Sequence, residues 1–142
     1  MGVIVITGGS RGIGASAAEH CAQKGMGVIL TYNSNADAAQ SVVQRIESAG
    51  GKAVALKLDV ADVGGFGVFR ETLKLTLREN WGVNTVSGLV NNAGYGLFNP
   101  LESVTESQFD GLLNVHLKGP FFLTQALLPL MEEGASIVNL TS

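Results

Sequence analysis

The feature that most constrains this chain is the alternation of short apolar runs with helical patterns along its length. Runs rich in β-branched and aliphatic residues cover 3–6, 28–32, 53–58, 87–91 and 137–140, and helical candidates cover 13–24, 37–49, 66–80 and 106–131. In the second helix Val42, Val43, Ile46 and Ala49 make an apolar stripe at 3.6-residue spacing, ended by Gly50 and Gly51. Most strand runs are apolar without alternation, which is what a parallel strand covered by helices on both faces requires. No repeat and no Pro/Gly/Ser-rich linker divides the 142 residues. One α/β domain, residues 1–142, built on a doubly wound parallel sheet is therefore expected.

Composition excludes several function classes. With 46% apolar and 15% charged residues the chain has the make-up of a globular protein, and its net charge of −3 comes with scattered Lys and Arg. No basic stripe is present to neutralise phosphates, so neither nucleic acid nor an anionic membrane is an expected partner. Cys21 stands alone, which fits a reducing compartment. The segment "PFFLTQALLPLM" contains Gln125 and two prolines and falls short of the roughly 20 apolar residues that span a bilayer. A cytoplasmic protein is expected. His20 and His116 lie far apart with no acidic or cysteine cluster, so no metal site is expected.

In such a sheet ligands bind outside the carboxyl ends of the strands. The residues that break the pattern lie there: 7–14, 33–35, Asp59, 91–94, and Thr141 and Ser142. In the first turn, "TGGSRGIG", Gly8 permits a tight turn, Gly12 lets the backbone approach a phosphate, and Gly14 lets the following helix pack closely. A pyrophosphate on that helix N-terminus would meet free N–H groups and the positive end of the helix dipole. The spacing G-x-x-x-G-x-G differs from the G-x-G-x-x-G dinucleotide fingerprint, so the glycines alone leave a plain βα turn open.

Five motifs taken together, "TGGSRGIG", "LDV" at 58–60, "NNAG" at 91–94, Asn114 in "NVHLKG" and "SIVNLTS" at 136–142, resemble the short-chain dehydrogenase/reductase family in its T-G-x-x-x-G-x-G branch. Within it the motifs are similar to those of 3-oxoacyl-carrier-protein reductases. The resemblance implies a Rossmann-type sheet in the order 3-2-1-4-5 with helices on both faces. It implies cofactor-binding roles for Gly8, Ser10, Arg11, Gly12, Ile13 and Gly14 in the first turn, and for Asp59 and Val60 beside the adenine. Asn91, Ala93 and Gly94 would belong to the turn that steadies the central strand along the adenosine and ribose. Asn114 resembles the helix asparagine that holds a water in the family's proton relay. Ser142 resembles the serine that hydrogen-bonds the substrate carbonyl, with Thr141 a competitor for that role. A helix-capping Asp59 and a packing Asn114 are the plainer alternatives.

Cofactor choice follows from chemistry. An NAD-selective site presents Asp or Glu about 20 residues after the glycines to accept from the ribose 2′-hydroxyl, whereas a 2′-phosphate requires that carboxylate gone and a cation nearby. Here the second strand ends in "TYNSN", with no acid before Asp37. Arg11 supplies a guanidinium suited to phosphate, and Asn33 and Ser34 add neutral donors. NADP(H) is expected rather than NAD(H).

The family's proton-transferring tyrosine, with its lysine four residues on, follows the serine, and this sequence stops at Ser142. Neither Tyr32 nor Tyr95 has a lysine at i+4. The chain is read here as truncated, with the C-terminal part of the fold missing. Two functions stay open: an NADP(H)-dependent oxidoreductase exchanging hydride with a small carbonyl or alcohol substrate, and an NADP(H)-binding fragment without turnover. Phe121, Phe122, Leu127 and Leu128 read as core or subunit interface, and a homo-oligomer is expected for the intact protein.

Overall fold

The computed structural model describes residues 1–141. Strands β1 (Val3–Ile6), β2 (Gly27–Tyr32), β3 (Ala53–Lys57), β4 (Val86–Asn91) and β5 (Met131–Asn139) form one parallel sheet in the order β3-β2-β1-β4-β5. Helices α1 (Gly12–Gln23), α2 (Ala36–Ser48), α3 (Phe66–Trp81), α4 (Glu106–Leu113) and α5 (Gly119–Leu127) supply the crossovers. The expected doubly wound sheet and strand order are found.

The apolar runs of β1, β2 and β4 are continuous because these strands are covered on both faces, whereas β5 has no buried residue. Val3 and Val5 of β1, Ile29 of β2 and Leu89 of β4 pack against Phe66, Phe69, Leu73 and Leu77 of α3 and Leu123 and Leu127 of α5. On the other face Ile6, Val28, Leu30 and Val90 meet Ala15 and Ala18 of α1 and Ala39, Val42, Val43 and Ile46 of α2. Each fully buried Leu, Ile or Val contributes about 1.5–3 kcal/mol relative to exposure. These two layers hold the sheet rigid, and a rigid sheet fixes where the loops at its carboxyl end meet.

The expected helix over 106–131 is corrected by the structure. Its chain runs through α4, a π-helical turn at Asn114–Lys118, α5 and a short 3-10 turn at Leu128–Leu130, and Met131 already belongs to β5. Pro120 is the local cause: without an N–H it cannot bond the carbonyl of His116, and Gly119 N–H donates instead to the carbonyl of Asn114, five residues back. Pro129 closes the segment. β5 starts six residues earlier than the expected 137–140 because Met131 pairs with Val86 before an irregularity brings Ser136 opposite Gly88. The other boundaries differ from expectation by a residue.

Candidate active site

The chain order turns back between β1 and β4, and a cleft of about 690 Å³ opens there at the carboxyl ends of the strands. It is lined from the β1 turn by Gly8, Ser10, Arg11, Gly12 and Ile13, and from β2 and its loop by Thr31, Tyr32, Asn33, Ser34 and Asn35. Ala38, Leu58, Asp59, Val60, Asn92, Ala93, Gly94, Tyr95 and Val115 complete it. A ligand spanning this cleft would cross four strand ends.

The first turn is shaped by what its glycines allow. Gly8 has φ +64°, and a Cβ there would lie 2.8 Å from Ala93 Cα. Gly12 has φ +56° with nothing within 4 Å of an added Cβ, so its missing side chain leaves open cleft. Gly14 is a matter of contact, since its Cβ would meet Gly8 O at 2.3 Å and Asn92 Nδ2 at 2.4 Å. The turn is tied to its neighbours: Gly8 N–H donates to Thr31 Oγ1 at 3.3 Å, Gly9 N–H to Thr31 O at 2.9 Å, and Asn92 Nδ2 to the carbonyls of Thr7 and Gly8 at 3.0 Å.

Two helices aim their N-termini at this edge of the sheet, and they differ. The start of α2 is capped by Asn35 Oδ1, which accepts from Ala38 N–H at 3.0 Å, and carries Asp37 in its first turn. The start of α1 has neither a side-chain cap nor an acid, so its first N–H groups and its positive dipole end face the cleft unanswered. Arg11 is the one cation among the lining residues and takes part in no ion pair among the described residues. Asp59 is the one carboxylate of the lining; its Oδ1 accepts from Ala61 N–H at 2.9 Å in a local turn.

Of the residues singled out from the sequence, Gly8, Ser10, Arg11, Gly12, Ile13, Asn33, Ser34, Asp59, Val60, Ala93 and Gly94 line the cleft. Gly14 is buried behind it. Asn91 lies inside the sheet, 5% exposed, its Nδ2 donating to Asn139 Oδ1 at 2.8 Å and Thr124 Oγ1 at 3.3 Å. Asn114 sits on the π turn and is not part of the lining; its neighbour Val115 is. Ser142 lies outside the described residues. Thr7 and Asn92 fall within the quoted motifs but carry no role of their own in the sequence reading, and neither do Thr31 and Tyr95; Thr31 hides inside an apolar run, where a lone buried hydroxyl is the signal that marks it.

A family model described as short chain dehydrogenase matches residues 2–142. Elsinochrome reductase 1 of Elsinoe fawcettii is 34% identical over 140 residues, covering 99% of this chain and 50% of that protein. The hydroxynaphthalene reductase-like protein Arp2 of Metarhizium majus is 34% identical over 141 residues, with coverage of 99% and 50%. Among solved structures, landomycin C-6 ketoreductase LanV with bound NADP and rabelomycin superposes with a TM-score of 0.95 at 38% identity, covering 99% of this chain and 58% of that one. The chain spans about half the length of the curated relatives it matches. With the family model matching nearly its whole length and the same fold found in solved relatives, the chain belongs to the short chain dehydrogenase family.

Proposed function

We propose that this chain forms the NADP(H) half of a carbonyl reductase. The observation that carries the reading is Arg11, the single cation of the cleft lining, set beside the uncapped start of α1 and facing a β2 loop, 33–35, that holds amides and a hydroxyl and no acid. That donor set suits a ribose 2′-phosphate and gives nothing that would select a 2′-hydroxyl. The bound NADP of landomycin C-6 ketoreductase supports the same choice.

When bound, NADPH supplies a hydride to the substrate carbonyl carbon. The residues here bind and orient. The first-turn N–H groups of α1 receive the pyrophosphate, and the bare Cα of Gly12 lets it come close. Ser10 and Ile13 flank that approach. Arg11, Asn33 and Ser34 hold the 2′-phosphate. Asp59 has its second carboxylate oxygen to accept from the adenine amino group, with Val60 beside it, and Ala93 and Gly94 border the ribose. Asn114 and Ser142 keep the relay and carbonyl-binding roles that the family motifs imply. Residues 1–142 act as one domain, and the exposed Phe109, Leu117 and Phe121 of the α4–α5 segment support self-association.

The test is a titration of NADPH and of NADH, followed by cofactor fluorescence, on the wild type and on Arg11→Ala, with NADPH oxidation measured in parallel against a panel of ketones. NADPH binding tighter than NADH, with the preference cut about tenfold or more in Arg11→Ala, supports the reading. Equal affinities, or a preference indifferent to Arg11, overturn it. Binding without oxidation of any ketone selects the second reading, an NADP(H)-binding module without turnover.

A further inference from the structure

The cleft is chemically lopsided. Its charged residues, Arg11 and Asp59, lie at the β1 and β3 ends, whereas its β4 end is closed by Gly94, Tyr95 and Val115. A dinucleotide seated with its pyrophosphate on α1 and its adenosine toward β2 and β3 directs its reacting half toward β4. Tyr95 therefore stands at the end where a substrate would enter.

Tyr95 is also held in place. His116 Nε2 lies 2.7 Å from Tyr95 O and 3.2 Å from Tyr95 N, so in either ring tautomer it engages one backbone group of Tyr95, donating to the carbonyl or accepting from the N–H. Two glycines make room for this arrangement. A Cβ on Gly94 would lie 2.4 Å from His116 Cε1, and a Cβ on Gly111 of α4 would lie 2.7 Å from the Tyr95 hydroxyl oxygen. The Tyr95 and His116 rings stand 5.9 Å apart, tilted by 46°. Tyr95 is nonetheless 45% exposed, and Phe98, three residues along the same loop, is 98% exposed. A large ring held at its backbone, with its hydroxyl end against Gly111 and part of it open to the cleft, offers a stacking surface.

We propose that Tyr95 is a specificity-determining residue whose ring, with its backbone held by His116 and its hydroxyl end against Gly111, stacks on flat fused-ring ketones at the β4 end of the cleft. The proposal rests on the cofactor reading above. It names a substrate shape: the carbonyl sits on or beside a planar aromatic ring system, and compact aliphatic ketones gain nothing from Tyr95.

The experiment measures dissociation constants of 2-tetralone and of cyclohexanone by ligand-observed saturation-transfer NMR, with and without NADPH, on the wild type, Tyr95→Ala and Tyr95→Phe. Tyr95→Ala is expected to weaken 2-tetralone about three- to tenfold and to leave cyclohexanone unchanged, while Tyr95→Phe keeps the wild-type preference. The proposal is overturned if 2-tetralone binds the wild type no more tightly than cyclohexanone, if Tyr95→Ala weakens both alike or neither, or if Tyr95→Phe behaves as Tyr95→Ala. Cofactor fluorescence in the same samples separates the two readings. A protein that fails to hold NADPH sinks the cofactor assignment, and the cofactor-free titration still decides the role of Tyr95.

Discussion

Thr7 and Asn92 are tied together at the carboxyl ends of β1 and β4 by two hydrogen bonds, both donated by Asn92. Its backbone N–H donates to Thr7 Oγ1 at 3.0 Å, and its side-chain amide donates to the carbonyl of Thr7 at 3.0 Å. Ala93 N–H also donates to Thr7 Oγ1 at 3.0 Å. One hydroxyl, 1% exposed as a residue, thus joins the glycine turn after β1 to the β4 loop at the point where the strand order reverses.

Thr7→Val keeps the shape and removes the acceptor, leaving the N–H groups of Asn92 and Ala93 without a partner in a partly buried place. A loss on the order of 2–4 kcal/mol is expected. For a chain of this size that lowers the melting temperature by on the order of 5–10 °C. Thr7→Ser retains the oxygen and should melt within a few degrees of the wild type. Calorimetry on both variants checks this, and equal melting of Thr7→Val and wild type would show that the hydroxyl is not what joins the two loops.

Gly12 and Gly14 are two residues apart and should fail differently. An added methyl at Gly12 points into empty cleft, so Gly12→Ala costs only the left-handed backbone, about 1–2 kcal/mol, and its larger effect should be on NADPH affinity. At Gly14 the methyl meets the Gly8 carbonyl and the Asn92 amide, so Gly14→Ala must displace the turn itself and lowers stability as well as binding. Urea denaturation alongside NADPH titration separates the two. If Gly12→Ala binds NADPH as the wild type does, the open space at that residue is not where the cofactor lies.

Much of this was legible in the sequence because it depends on local pattern. Strands with two covered faces leave continuous apolar runs, and a backbone that must turn tightly at Gly8 leaves a glycine. The break at Asn114–Lys118 was not legible, because the apolar spacing of 106–131 runs through it and only Pro120 hints that one hydrogen bond is missing. Contacts between distant segments were equally hidden. His116 was set aside as an isolated histidine, yet the fold brings it to Gly94 and Tyr95; Asn114, chosen by motif, stands outside the cleft lining. A sequence gives the spacing along one element, whereas a site is made of spacings between elements.

Cofactor preference should be movable with one atom pair. Asn33 lines the cleft on the β2 loop, where a carboxylate would accept from a ribose 2′-hydroxyl and repel a 2′-phosphate. Asn33→Asp is expected to weaken NADPH about tenfold or more and to strengthen NADH, with the NADPH loss shrinking as salt screens the new charge. Fluorescence titrations at low and high ionic strength measure both effects. A parallel loss of NADH and NADPH would instead mean that Asn33 shapes the loop without facing the 2′-position.

Gly119 lies outside the cleft lining yet governs how closely α5 can approach it. A Cβ at Gly119 would lie 2.0 Å from the carbonyl oxygen of Val60 and 2.8 Å from that of Asn114. Both neighbours are backbone, so no rotamer change relieves the contact, and the start of α5 must move away from the turn after β3 that carries Asp59. Overpacking of this kind costs typically 1–3 kcal/mol, and here the upper end, about 3 kcal/mol, is expected because neither partner can yield. Since Leu123 and Leu127 anchor α5 to the core, the strain should pass to the loop and weaken NADPH binding too. Hydrogen exchange on Gly119→Ala reads both consequences: faster exchange at 59–61 and through the π turn, with the strands still protected. Unchanged protection there would show that α5 and the β3 turn do not press on each other in solution.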